Sequence, residues 1–135
     1  FDTELDKYIA RSAVFAFPSM LEGMPTALLE AMACKTAVVI TDFKSGAREI
    51  LDYPLDKQIE GMIETKYGLI TPVCSGTYHE ATEGLEKNEI ILSEAMLKML
   101  KDASYREGCA ERGKRRSQEF DMKELIQLWI EVISG

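Results

Sequence analysis

Phe17-Pro18-Ser19-Met20-Leu21-Glu22-Gly23-Met24-Pro25-Thr26-Ala27-Leu28-Leu29-Glu30-Ala31-Met32-Ala33 is the stretch on which the reading of this chain turns. Ahead of it, Ser12 to Phe17 is an apolar run halted by Pro18. Its length and aromatic content predict a strand buried on both faces. Gly23 and Pro25 then punctuate a loop, and Pro25 suits the first turn of a helix, where a missing N–H costs nothing. The helix predicted over Pro25 to Cys34 carries Leu28, Leu29 and Met32. Behind it, Thr36-Ala37-Val38-Val39-Ile40-Thr41 is β-branched and almost uninterrupted, the strongest strand pattern in the chain.

Outward from this segment the pattern stays α/β. On the N-terminal side, Thr3 can cap a short helix with Asp6 as its capping-box partner, ending near Arg11. On the C-terminal side, Ala47 to Leu51 predicts a short helix. After an irregular stretch with Pro54, Tyr67 to Thr71 predicts a third strand before Pro72. Strand, helix, strand, helix, strand predicts a partial Rossmann-like parallel sheet of about three strands with right-handed crossovers. Cys74 to Asn88 turns polar and predicts an exposed loop. Helical periodicity resumes at Ile90, continues as a basic helix from Tyr105 to Phe120 and closes with Met122 to Ile133, so two or three helices end the domain. The whole of 1–135 is expected to be a single domain.

The chemistry is concentrated between Phe17 and Glu49. In an open parallel sheet, ligands bind beyond the carboxyl ends of the strands, which is where the loop after the first strand falls. Free amides around Gly23, Met24, Thr26 and Ala27, with the positive end of the helix dipole, predict a site suited to phosphate. Glu22 and Glu30 frame the helix start, 30 − 22 = 8 positions apart, which is at most about 12 Å along a helix axis. A pyrophosphate and the two sugars it joins have that reach. A carboxylate accepts two hydroxyl hydrogen bonds, which suits Glu30 to a ribose diol and Glu22 to a hexose hydroxyl.

Composition narrows the alternatives. The 135 residues are 46% hydrophobic and 29% charged, an ordinary globular balance that excludes collagen-like, disordered and disulfide-scaffold classes. Sixteen Lys and Arg against twenty-three Asp and Glu leave a net charge of −7, which argues against a general nucleic-acid binder. Cys34, Cys74 and Cys109 are widely spaced with a single histidine, His79, to help them, so reduced thiols are expected and no metal site. His79 reads as a surface residue and Cys34 as a small buried hydrophobe. Arg106, Arg112, Lys114, Arg115 and Arg116 read as a solvated helix face that could meet anionic lipid. Leu125, Leu128, Trp129 and Val132 read as packing. No apolar run approaches the ~20 residues of a membrane helix. A chain that opens at Phe1 and enters a helical pattern almost at once is expected to be a piece of a longer protein.

Together, the strand ending in Pro18-Ser19, the Glu22-Gly23 loop, the Ala31-Met32-Ala33 helix and the E-x7-E spacing of Glu22 and Glu30 resemble the donor-binding half of retaining glycosyltransferases of the GT-B fold, family GT4. Gly46-Ala47-Arg48-Glu49 is similar to the family's G-x-x-E loop, Tyr67-Gly68-Leu69-Ile70 to its G-L-L strand, and Glu107 to Phe120 to its terminal arginine-rich helix. The resemblance spans nearly the whole chain except Asp52 to Lys66 and Cys74 to Asn88. It implies the C-terminal half of a GT-B enzyme, which transfers a sugar from a UDP- or GDP-sugar donor to an acceptor with retention of configuration, without cofactor or metal. It implies Glu22 as the catalytic carboxylate holding the donor sugar, with Gly23, Met24, Pro25 and Thr26 at the sugar and phosphate and Glu30 at the ribose. Ser19, Gly46 and Glu49 are further candidates. The implied partners are the nucleotide sugar and an N-terminal acceptor domain of the same protein, not nucleic acid. The implied setting is bacterial surface polysaccharide or glycolipid synthesis in the cytoplasm, with peripheral contact at the inner face of the membrane. The family usually has Gly and Pro where this chain has Lys35 and Ala37, so the turn after the helix is expected to be looser. Another GT-B enzyme, such as a nucleotide-sugar epimerase, or a non-catalytic nucleotide-binding α/β module is the alternative.

Overall fold

The computed structural model describes residues 4–43, 46–78, 80, 82–121, 126, 130 and 132–134. Thr3, His79, Leu125, Leu128 and Trp129, singled out from the sequence, lie outside the described residues. The elements in chain order are α1 (Leu5–Arg11), β1 (Val14–Phe17), α2 (Thr26–Ala33), β2 (Ala37–Thr41), α3 (Ala47–Ile50), β3 (Ile63–Glu64), β4 (Gly68–Thr71), α4 (Lys87–Lys101) and α5 (Ala103–Gln118). Ile126, Ile130 and 132–134 are helical beyond these.

Four strands form one sheet in the order β1-β2-β4-β3, with β1, β2 and β4 parallel. The sequence pointed to about three strands, all parallel. The fourth, β3, is only two residues long and pairs antiparallel with β4 through a tight turn in which the Thr65 hydroxyl bonds the Gly68 carbonyl at 2.8 Å. Two residues are too few for alternation to register, which is why the strand was not foreseen.

Every residue of β2 is buried. Its side chains alternate between two cores, as strand geometry requires. Val38 and Ile40 join Leu28, Met32, Phe43, Ile50 and Ile70, under α1, α2 and α3. Ala37 and Val39 join Leu69, Ala95, Met99 and Cys109, under α4 and α5. Each fully buried Val or Ile contributes roughly 1.5–3 kcal/mol of transfer free energy, so this strand alone anchors both layers. β1 differs from expectation. It is an edge strand of the described sheet and its four residues are half-buried, with Phe15 and Phe17 stacked 5.8 Å apart.

The turn after α2 also departs from the looser form expected. The Thr36 N–H donates to the Ala31 carbonyl at 3.0 Å and the Lys35 N–H to the Met32 carbonyl at 3.0 Å, a complete Schellman closure. Lys35 takes the left-handed conformation the motif demands, at φ 62°, where glycine is normally found. Lys35 also pairs with Glu111 of α5 at the surface. An exposed pair contributes little, whereas a left-handed non-glycine residue costs on the order of 1 kcal/mol. Lys35→Gly is therefore expected to raise stability by about 0.5–1 kcal/mol in urea unfolding; a loss of stability would mean that the Glu111 pair outweighs the backbone strain.

Candidate functional site

The carboxyl ends of β1 and β2 set the loop that carries Glu22. Thr41, buried at the end of β2, donates its hydroxyl to the Ser19 carbonyl, tying the loop after β1 to the neighbouring strand. The Ser19 hydroxyl in turn donates to Glu22 Oε1 at 2.6 Å. Glu22 is thus half-buried and oriented by a neutral donor. The chain then enters α2 through Pro25, the N-cap residue, which is itself buried. Gly46 lies against it: a Cβ there would meet Pro25 Cδ at 2.8 Å, and Gly46 adopts φ +77°. Only glycine fits so close at that backbone angle. The contact lays the start of the G-x-x-E loop on the start of α2.

Along α2, Leu28, Ala31 and Met32 face inward, while Thr26, Glu30 and Ala33 are exposed at helical spacing. Thr26 and Glu30 therefore share one outer face. The carboxylates of Glu30 and Glu49 are exposed, and neither has a hydrogen bond or ion pair among the described residues. No side chain caps the first turn of α2. Its amides are fewer than the sequence suggested, however. The Thr26 N–H donates to the Met24 carbonyl at 2.9 Å, and those of Leu28 and Leu29 turn to the Pro25 carbonyl at 3.1 and 3.4 Å. This leaves Thr26 its hydroxyl as the group it can offer a ligand, and Pro25 only its shape.

Met24, Gly46 and Glu49 come together in a cavity of about 380 Å³ with Ile50, Arg116 and Phe120. A second cavity of about 800 Å³ adjoins it through Gly46 and Glu49 and is lined by Asp42, Phe43, Arg48 and Tyr53. Ser19, Glu22 and Glu30 line neither cavity.

Two arginines shape these walls in ways the sequence did not disclose. Arg48 grips Asp42 with both arms of its fork, Nε to Oδ1 at 2.7 Å and Nη2 to Oδ2 at 2.6 Å. Its Nη1 reaches the carbonyls of Pro54, Leu55 and Lys57 at 3.0, 2.9 and 2.7 Å. The hydrogen bond to Asp42 raises the guanidinium pKa above its ordinary value, and the two side chains are only 16% and 19% exposed. Arg116 of α5 holds the Glu49 carbonyl at 2.7 Å and the Ile50 carbonyl at 3.2 Å, with the rings of Tyr67 and Phe120 5.6 and 4.9 Å from its guanidinium carbon. Arg48 stood one residue before a candidate glutamate, but its partners and those of Arg116 are tertiary.

The basic helix is correspondingly not a plain solvated face. Arg106 binds the carbonyls of Met99 and Leu100 at 3.2 and 2.8 Å, and Arg112 binds that of Lys66 at 2.6 Å. With Arg116 committed as well, Lys114 and Arg115 are the exposed cations of the cluster. Among the thiols, Cys34 is half-buried rather than buried. At Cys74, burial first, then Glu86 and Glu89, push the pKa up, the reverse of an activated nucleophile.

Because the Asp42–Arg48 pair is largely withdrawn from water and holds three carbonyls of the following loop, removing one partner strands the other. Asp42→Asn is expected to cost on the order of 3 kcal/mol in chemical denaturation. A cost below about 0.5 kcal/mol would show the pair to behave as a surface one.

Comparison with known proteins bears on the family and the fold. Residues 1–53 match the family described as glycosyl transferases group 1. An uncharacterized glycosyltransferase of Methanocaldococcus jannaschii is 31% identical over 134 residues, which is 96% of this chain and 33% of that protein. The N-acetylgalactosamine-N,N'-diacetylbacillosaminyl-diphospho-undecaprenol 4-alpha-N-acetylgalactosaminyltransferase of Campylobacter jejuni is 30% identical over 135 residues, 100% of this chain and 30% of that protein. Sucrose-phosphate synthase of Thermosynechococcus elongatus superposes with a TM-score of 0.66 at 20% identity, over 94% of this chain and 27% of that one. The chain thus spans about a third of the length of the curated relatives it matches. Residues 1–53 are thus similar to the glycosyl transferases group 1, and the chain folds on a mostly parallel α/β sheet of the GT-B kind.

Proposed function

We propose that this chain is the nucleotide-sugar-binding part of a longer glycosyltransferase, which moves a sugar from a UDP- or GDP-sugar to an acceptor with retained anomeric configuration. The observation that carries the reading is the arrangement around α2. An oriented, half-buried Glu22 precedes the helix, and Thr26 and Glu30 lie on its outer face, within the segment that matches the family. In this reading Glu22 accepts hydroxyls of the donor sugar, held in place by Ser19. The uncapped start of α2, with Gly23 and Met24 before it, faces the diphosphate, and the Thr26 hydroxyl adds a donor. Glu30 accepts the ribose diol. Gly46 and Glu49 close the site from the neighbouring loop.

The donor's bond between anomeric carbon and phosphate oxygen breaks as the acceptor oxygen bonds the carbon on the same face. The acceptor's proton passes to the departing phosphate, so the protein's part is positioning and electrostatic stabilisation. The acceptor domain belongs to the rest of the longer protein. The Campylobacter jejuni relative, named for a sugar chain on diphospho-undecaprenol, supports a lipid-linked saccharide as acceptor; work at the inner face of a bacterial membrane belongs to the same reading. Peripheral contact with that membrane is part of this reading; no helix among the described residues is long and apolar enough to cross it.

Binding is measurable on the chain itself. UDP or GDP, or one of their sugars, at millimolar concentration is expected to raise the melting temperature by a few degrees, and Glu30→Ala to abolish the shift while leaving the unliganded melting temperature within about one degree. No shift with any nucleotide sugar, or an undiminished shift in Glu30→Ala, would overturn the assignment.

A further inference from the structure

The loop that follows β4 meets the loop that carries Glu22. Both leave the carboxyl edge of the sheet, and β2 lies between their strands, so their meeting closes over the end of β2. The contact is between Gly76 and Met20. A Cβ on Gly76 would fall 2.6 Å from Met20 Sδ and 2.8 Å from its Cε, and Gly76 has φ +71°. The loop is held at its roots: Ser75 N–H donates to Glu86 Oε1 at 2.6 Å and Asn88 Nδ2 to the Val73 carbonyl at 2.8 Å. Glu86 also forms the capping box of α4 with Glu89, so the loop is fastened to a fifteen-residue helix.

The composition of this loop indicates which part of a donor it suits. From Pro72 to Glu86 there is no lysine or arginine, while Glu80, Glu83 and Glu86 carry negative charge. Such a segment disfavours a diphosphate. Met20 remains 54% exposed despite its contact, two residues from Glu22, and Tyr78 is 82% exposed two residues beyond Gly76. A thioether and an aromatic ring offer the flat, polarizable surface on which the C–H face of a pyranose rests.

We infer that the Met20–Gly76 contact makes the loop after β4 a specificity-determining element that reads the sugar, and not the nucleotide, of the donor held by Glu22. The inference rests on the donor-binding reading above. Its test compares UDP and GDP alone with a panel of their sugars by isothermal titration of the chain, as wild type and as Gly76→Ala, Tyr78→Ala and Met20→Leu. Gly76→Ala forces a Cβ against the Met20 thioether, and Tyr78→Ala removes the exposed ring without touching the fold. Both are expected to leave the nucleoside diphosphate Kd within twofold and to change the affinity ratio between the best sugar and its competitors at least fivefold. Met20→Leu, of similar volume but without the thioether, is expected to change the ratio as well while leaving the nucleoside diphosphate Kd within twofold. An unchanged ratio in Tyr78→Ala, together with an unchanged ratio in Gly76→Ala wherever that variant folds, overturns the inference, as does a nucleoside diphosphate affinity that falls in step with the sugar's. Wild-type chain that binds no nucleoside diphosphate overturns the donor-binding reading itself and this inference with it.

Discussion

β2 has no face left for water, and the rest of the molecule follows from that. A strand buried on both sides must be paired along both edges and covered above and below, since unmade backbone hydrogen bonds and exposed Val and Ile would each be costly. β1 and β4 satisfy its edges, α2 and α3 cover Val38 and Ile40, and α4 and α5 cover Ala37 and Val39. The site inherits its position from this arrangement. Thr41, the last residue of β2, is also the residue that fastens Ser19, and Ser19 orients Glu22. A carboxylate is thereby placed at the rim of the sheet by a relay that begins in the core.

The order of strands and helices, the two strands flanking α2 and the limits of α2 itself were legible because each depends on local pattern. Apolar runs, a proline at a helix start and a change of period act over a few residues, and β2 and α2 came out within one residue of expectation at each end. Glu22 and Glu30 could be singled out as candidates from the same local information, since their spacing is a property of seven intervening residues. What stayed hidden was tertiary. That Lys35 would take a glycine's conformation, that the Thr26 amide would be spent on Met24, and that β1 would stand at an edge all depend on neighbours distant in sequence or on the detailed path of a loop.

The arginines make the same point through chemistry. Five cations on one helix look alike in sequence, yet three of them end helices or turns by taking carbonyls, and only two are left to solvent. A guanidinium has five N–H donors in a fixed fork, so it can satisfy several helix-end acceptors at once in a way lysine cannot. Arg116 uses this to hold α3, a helix of four residues that has little stability of its own. The last carbonyls of α3 are thus completed from α5, and Glu49 owes its place to a residue 67 positions away.

β3 bears on how this layer can be extended. Two residues of antiparallel strand leave hardly any template for pairing, so the sheet is blunted at that side. The opposite margin of the described sheet is the four-residue strand Val14–Phe17, with the rings of Phe15 and Phe17 stacked upon it. Within the described sheet, a strand added alongside those four residues would therefore meet a longer template than one added beyond β3.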